Sequence, residues 1–197
     1  MSETAFSLHA EIKACTLCAD TLPLGPRPVV QFSQTSRILI IGQAPGTKVH
    51  ASGVPWDDDS GDRLREWLEL DKETFYDPTR IALMPMGFCY PGKAKGGDAP
   101  PRPECAPQWH DRILKLLPKT RVTLLVGTYS QKVYLPEKRK LTLADRVLEW
   151  KESDESSQSP IPLPHPAWRS RMFMAKNPWF EDKALPRLRR LIQNALI

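Results

Sequence analysis

The sequence predicts an α/β fold, a three-layer sandwich in which helices cover both faces of a central four-stranded parallel sheet. Two observations lead to this prediction. Short runs of β-branched and apolar residues recur along the chain, each closed by Gly or Pro, and segments with helical spacing lie between them. Strands that alternate with helices pair in parallel through right-handed crossovers. Ligands of such sheets bind beyond the carboxyl ends of the strands, so a site is expected in the turns that follow them.

The candidate strands are three runs and the end of a polar connection: RILIIG at 37–42, RIALM at 80–84, RVTLLVG at 121–127, and the apolar end of the Ser-rich segment 150–164. Four segments have helical spacing: 60–70, 103–117, 128–135 and 181–197. In the first of these helices Ser60 is the expected cap, and Leu64, Trp67 and Leu68 share a face. In the last, Pro186 must lie in the first turn or bend the helix.

Length and charge limit the class of protein. A chain of 197 residues suits a single domain over 1–197, large enough to bury a continuous core without disulfides or metals. Its 28 Lys and Arg against 23 Asp and Glu give a net charge of +5, which fits a polyanionic partner without requiring one. No apolar run approaches the roughly 20 residues of a membrane span, and the first residues lack the regions of a signal peptide. We therefore expect a cytoplasmic monomer with no membrane contact.

The four cysteines form a pattern of their own. Cys15 and Cys18 form a C-x2-C pair, and Cys89 and Cys105 flank a loop rich in Pro and Gly. Four thiolates suit either tetrahedral zinc or an iron-sulfur cluster, and the spacing excludes neither. The competing interpretation is four unrelated buried cysteines, whereas a disulfide is disfavoured in a reducing compartment. A shared metal would tie the N-terminal segment to the loop at 89–105.

A set of short motifs lies along the chain: GQAPG at 42–46 after a strand, GVPW at 53–56, SG before an amphipathic helix, the cysteine spacing, and PHPAWRSR at 164–171. Together they resemble the uracil-DNA glycosylase superfamily, most closely its iron-sulfur branch, family 4. The resemblance spans nearly the whole chain, from Cys15 to the last motif. It implies a uracil-DNA glycosylase-like domain, DNA as partner, and a 4Fe-4S cluster held by the four cysteines, with zinc as the alternative.

The resemblance also implies roles for the residues of these motifs. Cutting the bond between a base and deoxyribose builds positive charge on the sugar and negative charge on the base, after the nucleotide has been flipped out of the duplex. The implied base pocket is lined by backbone amides at Gly42, Gln43 and Ala44. Trp56 would stack on the base, and His165 would donate a hydrogen bond to the departing base. Within the acidic run 57–59, Asp59 is our candidate for orienting water or offsetting the sugar cation. The alternatives are a core Trp56, a structural His165 and a solvated acidic turn.

The sequence departs from the family pattern at three places. Ala44 stands where the classical glycosylases have a water-activating Asp, although the iron-sulfur branch also lacks it. Pro85 stands where family 4 members have an Asn that reads the base, and proline has neither a side-chain amide nor an N–H. The loop 89–105 replaces the usual basic run, so Lys93, Lys95 and Arg102 are the expected phosphate contacts.

The loop after His165 corresponds to the family's wedge, which enters beside the vacated base. Its aromatic and guanidinium groups suit stacking on bases and pairing with phosphates. The candidates for DNA binding in this loop are Trp168, Arg169 and Arg171.

The predicted function is that of a base-excision DNA glycosylase, a hydrolase that cleaves the N-glycosidic bond of uracil or a related damaged base. The alternative is a catalytically impaired, metal-cluster nucleic-acid binding protein on the same scaffold, which the proline at position 85 motivates. A third interpretation is a nucleotide or nucleoside hydrolase that uses the same edge of the sheet and prefers small substrates.

Overall fold

The strands form one parallel sheet and one small hairpin. The computed structural model describes residues 3–154 and 159–197. Its strands there are β1 (Ile38–Ile41), β2 (Ile81–Leu83), β3 (Lys93–Ala94), β4 (Gly97–Asp98), β5 (Val122–Val126) and β6 (Ile161–Leu163). Four of them form an all-parallel sheet in the order β2-β1-β5-β6, and β3 pairs antiparallel with β4. The predicted four-stranded parallel sheet is confirmed.

Helices flank the sheet, and they include the four that the sequence predicts. The α-helices of the described residues are α1 (Ala5–Lys13), α2 (Thr47–Ser52), α3 (Asp59–Leu68), α4 (Lys72–Phe75), α5 (Cys105–Leu116), α6 (Thr128–Tyr134), α7 (Leu143–Glu152), α8 (Ser170–Lys176) and α9 (Leu185–Leu196). A π-helical turn, Phe180–Ala184, precedes α9, and Pro186 lies in the first turn of that helix, as expected. None of these helices combines the length and the apolar character that crossing a membrane requires.

Alternate strand residues face two separate cores, which makes the fold a three-layer sandwich. Ile38 and Ile40 pack with buried residues of α3, α7 and α9, whereas Leu39 and Ile41 pack with those of α1 and α5 and with partly buried residues of α6. Side chains of a strand point alternately to opposite faces, so strands buried on both faces read as continuous apolar runs. Because helices cover both faces of the sheet, the loops that follow the strands lie at its carboxyl edge.

The start of α3 differs from the sequence prediction. The predicted cap Ser60 is wrong, because Asp58 has extended backbone angles and its side chain accepts a hydrogen bond from the amide of Gly61, so α3 begins earlier. The predicted burial of Leu64, Trp67 and Leu68 is confirmed. Of the polar connection predicted at 150–164, positions 155–158 lie outside the described residues.

Candidate functional site

A cavity lies beyond the carboxyl ends of β1, β2 and β6, where a parallel sheet is expected to bind its ligand. It has an empty volume of about 420 Å³, including its open mouth. Its walls come from the turns after those strands and from the loop between α2 and α3. The lining includes Gly42, Gln43, Ala44, Trp56, Pro85 and His165, all of which the sequence predicts for one site, together with Asp58 and Val29.

The indole of Trp56 packs against Gly42 in the turn after β1, and the Trp56 backbone has an unusual conformation. Its φ of 59° lies in the left-handed region, which costs a non-glycine residue roughly 1–3 kcal/mol. Contacts fix it there: a Cβ on Gly42 would lie 2.7 Å from Cζ2 of the indole, and a Cβ on Gly61 would lie 1.7 Å from the Trp56 carbonyl oxygen. Tyr76 donates its hydroxyl proton to the same carbonyl (3.2 Å), and Arg65 donates to Tyr76 (3.1 Å). The surroundings therefore hold the indole against the cavity.

The imidazole of His165 lies beside the indole of Trp56 in the lining of the cavity. The centroids of the two rings are 5.7 Å apart and their planes differ by 29°. Gly127, at the turn after β5, supports the imidazole from behind, since a Cβ there would lie 3.5 Å from His165 Cβ. Burial lowers the pKa of His165 below its ordinary value of 6.5, and the carboxylate of Asp58 opposes this shift. A neutral imidazole at pH 7 is able to donate an N–H without carrying a charge.

Of the acidic run, the residue that reaches the cavity is Asp58. Its carboxylate lines the cavity, caps α3, and acts electrostatically on His165. The structure does not bring the predicted Asp59 to the site: its side chain is 91% exposed and forms an ion pair with Lys48 at 2.8 Å. Asp59 is the first residue of α3, where helix geometry turns its side chain away from the turn that Asp58 closes.

Another wall of the cavity is the backbone segment that follows β2, which is hydrogen-bonded to the turn after β1. Met86 N–H donates to the carbonyl of Gly42 (3.1 Å), and Gly87 N–H donates to the carbonyl of Gln43 (3.0 Å). These hydrogen bonds continue the β1–β2 pairing past the ends of the strands. They place Gln43 and Pro85 on adjacent walls of one cavity.

All but one of the predicted DNA-contacting residues lie on two neighbouring segments at the rim. The β3–β4 hairpin carries the exposed Lys93 and Lys95, and Lys93 forms an ion pair with Asp98 at 2.7 Å. The same Asp98 lies beside the cavity, since a Cβ on Gly46 would lie 3.4 Å from its Oδ2. Hence the hairpin borders the mouth.

The second rim segment is the loop after His165. Trp168 is 67% exposed, and the guanidinium carbon of Arg169 lies 5.2 Å from the centroid of its ring. Arg169 donates a hydrogen bond to the carbonyl of Gly96 in the hairpin (3.3 Å), and Arg171 is exposed on α8. This loop and the hairpin form a continuous basic and aromatic rim.

Arg102 lies elsewhere. It is bound to Glu104 (2.6 Å) and lies beside the Cys18 thiol, so the structure does not bring it to this rim. Its role as a phosphate contact stays a prediction.

All four cysteines line a second cavity, on the far side of the segment that follows Pro85. It has an empty volume of about 390 Å³ with its mouth, and apolar side chains such as Leu17, Leu22 and Trp109 complete its walls. Phe88 N–H donates to the Cys105 sulfur at 3.3 Å. The cavity brings together thiols from the N-terminal segment, the turn after β2 and the start of α5.

Burial raises the pKa of the Cys105 thiol to about 12, and the neighbouring Cys89, Cys18 and Cys15 add to the shift. Burial also raises the pKa values of Cys18 and Cys89. The sulfur atoms are therefore close enough to repel one another once charged. Within residues 3–154 and 159–197, no group of three or more His, Cys, Asp or Glu side chains is arranged so that it could hold a metal ion.

Sequence reasoning missed two residues that touch this site. Asp58 was one of three adjacent aspartates, and only the observed start of α3 distinguishes it from its neighbours. His110, on α5, is buried and contacts the carbonyl of Pro85. A histidine on the apolar face of a predicted helix was the available signal, and by itself it does not indicate a partner.

The comparison with protein families agrees with this geometry. A family model described as the uracil DNA glycosylase superfamily matches residues 29–189. The matched range contains every residue named above as lining the first cavity, together with Cys89 and Cys105. It begins after Cys15 and Cys18.

Proposed function

The chain belongs to the uracil DNA glycosylase superfamily, and we propose that it is a DNA glycosylase that hydrolyses the N-glycosidic bond of uracil or a related damaged base. The observation that carries this proposal is the convergence of the Gln43 turn, Trp56 and His165 on one cavity. The rim with Trp168 and Arg169 supports DNA rather than a free nucleoside as substrate, because exposed aromatic and guanidinium groups stack on bases and pair with phosphates.

Each cavity residue has a chemical task in this proposal. The indole of Trp56 stacks on the flipped base, and the neutral imidazole of His165 donates a hydrogen bond to the base oxygen as negative charge develops there. The carboxylate of Asp58 lies near His165 and orients the attacking water or offsets the positive charge of the sugar. Gln43 and the amides of its turn complete the polar lining. This assignment replaces the predicted Asp59 with its neighbour.

We propose that the rim binds the DNA backbone. Lys93, Lys95, Arg169 and Arg171 supply positive charge on both sides of the mouth, and Trp168 is the wedge that enters beside the vacated base.

The second candidate function is a DNA-binding protein that has lost catalysis. The wall at Pro85 favours it, because this residue offers the base neither a side-chain amide nor an N–H.

The decisive experiment is base release from DNA that carries uracil, hypoxanthine, xanthine or 5-hydroxymethyluracil, in single and double strands. We expect the wild-type protein to release at least one of these bases. His165→Ala should slow release by roughly 10²-fold or more, the usual effect of removing one donor to a developing anion. His9→Ala is the matched control, because His9 lies on α1, outside the cavity.

The outcomes separate the two candidates. A folded wild-type protein that releases no base but binds DNA in a salt-sensitive manner, unchanged by His165→Ala, would support the binding protein and contradict the glycosylase.

We further propose that the four cysteines hold a 4Fe-4S cluster, with zinc as the alternative. Binding requires their side chains to rearrange, because within the described residues no such group is arranged to hold a metal ion. The proposal is supported by the shared cavity, by its apolar walls, and by the amide of Phe88 that donates to the Cys105 sulfur, since hydrogen bonds to sulfur and solvent exposure tune bound clusters. A bound cation would offset the burial and the mutual repulsion that keep these thiols protonated. Such a cluster would supply structure, because hydrolysis involves no redox step. Iron, sulfide and zinc analysis of the purified protein, with its visible absorbance near 400 nm (an approximate expectation), distinguishes the two metals.

A further inference from the structure

His110 is a buried histidine whose two ring nitrogens are both engaged. Its Nε2 lies 3.0 Å from the carbonyl oxygen of Pro85, and its Nδ1 lies 2.7 Å from the hydroxyl of Tyr134. A carbonyl oxygen only accepts, so Nε2 carries the proton and donates to Pro85. Nδ1 is then the acceptor for the Tyr134 hydroxyl. Burial lowers the pKa of His110 to about 4, which keeps the ring neutral and compatible with this tautomer.

The hydrogen bond to Pro85 matters because Pro85 forms a wall of the first cavity, the proposed base cavity, which Trp56 and His165 also line. Proline has no N–H, and the carbonyl of Pro85 is bound to α5 rather than aimed into the cavity. The next two amides are bound to the carbonyls of Gly42 and Gln43. The wall therefore presents an apolar ring to the base, and the hydrogen bond to the Pro85 carbonyl holds it in place together with those two amides.

The same wall is joined to the cavity that the cysteines line. Helix α5 begins at Cys105, whose sulfur accepts the N–H of Phe88 at 3.3 Å. The ring of Phe88 stacks on His110, with centroids 5.8 Å apart and planes 21° from parallel. The segment 85–89 is thus attached to α5 at two points, the sulfur of Cys105 and the ring of His110. A shift of either attachment would move the wall of the base cavity.

We propose that His110 is a positioning residue, whose hydrogen bond to the Pro85 carbonyl holds the apolar wall of the base cavity in register with Trp56 and His165. The consequence for catalysis rests on the proposed glycosylase function, whereas the placement of the wall does not. Tyr134 acts through His110, because its hydroxyl fixes the tautomer that donates to Pro85.

The test compares two amides at one position. The side-chain nitrogen of Gln reaches about as far as Nε2 of His, and that of Asn reaches only about as far as Nδ1. His110→Gln therefore keeps a donor near Pro85, and His110→Asn removes it. We expect His110→Asn to raise KM for the lesion-bearing DNA by about tenfold, with a smaller change in kcat, the factor that one lost hydrogen bond supplies. We expect His110→Gln to restore KM to within about threefold of wild type.

A second readout needs no activity. Amide hydrogen exchange at Met86 and Gly87 should speed up in His110→Asn and stay slow in His110→Gln, because only the first variant frees the wall. Tyr134→Phe keeps both rings and should give an intermediate acceleration. Tyr134→Phe also provides the exchange measurement if the His110→Asn protein does not fold.

His9 provides the matched control pair. Its Nε2 lies 3.1 Å from the carbonyl oxygen of Phe32 and its ring stacks on that residue, yet it lies outside the base cavity. His9→Asn and His9→Gln should leave KM and the exchange at Met86 unchanged.

Equal KM and equal exchange in His110→Asn and His110→Gln would overturn the proposal, because the ring would then only fill space. A wild-type protein that releases no base would count against the proposed function alone, since the exchange experiment still decides the role of His110.

Discussion

Two opposing effects, burial and the charge of Asp58, set the protonation state of His165. Burial of the ring removes water from the imidazolium and lowers its pKa, whereas the Asp58 carboxylate favours the charged form. Burial is the larger effect, so the ring is neutral at pH 7. In the proposed reaction, the cavity thus supplies a neutral donor to the departing base and a carboxylate to the positive sugar.

We expect the imidazole of His165 to titrate below pH 6.5 in the folded protein. Asp58→Asn removes a charge that raises this pKa, so the pKa should fall further. NMR titration of the four histidine rings measures this, and His165→Ala assigns the resonance. The acid limb of kcat/KM should move in the same direction.

Asp59→Asn is the control for that titration. Its side chain is exposed and paired with Lys48, so the change should leave the His165 titration where it is. If Asp58→Asn raised the pKa, or Asp59→Asn shifted it equally, the assignment of Asp58 to the cavity would be wrong.

The sequence could predict those site residues that follow buried strands, because parallel strands bring their carboxyl ends to one edge. The turn at Gln43 is of this kind. His165 and Trp56 depended on the resemblance, since a lone histidine does not indicate a site and nothing in the neighbours of Trp56 required a left-handed backbone. Asp58 and His110 were out of reach: choosing among adjacent aspartates needs the first residue of α3, and the partner of His110 is 25 positions away in the chain.

Among the elements, those with a strong apolar pattern were predictable. The strand runs and α3 and α5 show their buried faces in the sequence. Helix α1 buries only Leu8 and Ile12, so its pattern is too weak to distinguish from a loop. The β3–β4 hairpin has no buried side chain, and its contacts with Gly46 and Arg169 hold it in place.

Helix α3 and the turn before it fit together only because residue 61 is glycine. A Cβ there would lie 1.7 Å from the Trp56 carbonyl oxygen, a backbone atom that has no free direction in which to move. We expect Gly61→Ala to destabilise the fold by roughly 2–3 kcal/mol, although alanine favours helices by about 1 kcal/mol. Chemical denaturation measures the loss, and base release should fall with it because Trp56 is displaced.

Ser60→Ala is the neighbouring control in the first turn of α3. With Asp58 as the cap, removal of the Ser60 hydroxyl should change the free energy of unfolding by less than about 0.5 kcal/mol. A loss of about 1 kcal/mol would instead identify Ser60 as the cap. If Gly61→Ala proved neutral, the tight contact with Trp56 would be disproved.

In the molecule as a whole, the cavity lined by the cysteines joins segments that are far apart in the chain. It holds the N-terminal segment, the wall of the base cavity and the start of α5 around one centre. Helix α1 has a second attachment to α5, because Arg112 forms ion pairs with Glu3 at 2.5 Å and Glu11 at 2.8 Å. Surface pairs of this kind contribute little, about 0–1 kcal/mol. The metal proposed for the cysteines would therefore add a covalent tie to the apolar packing of Leu8 and Ile12 against the core.

We expect removal of that metal, by a chelator or by Cys89→Ser, to lower the thermal midpoint by roughly 10 °C, because each kcal/mol shifts the midpoint of a chain of this size by about 2–4 °C. Limited proteolysis should then cut within residues 14–26, where the backbone-to-backbone hydrogen bonds join only near neighbours in the chain. Arg112→Ala breaks the ion pairs but spares the thiols, so it should keep the metal and resist cleavage. Since thiols of raised pKa must lose protons to bind, metal uptake should weaken as pH falls. An unchanged midpoint after complete metal loss would show that the four thiols tie nothing together.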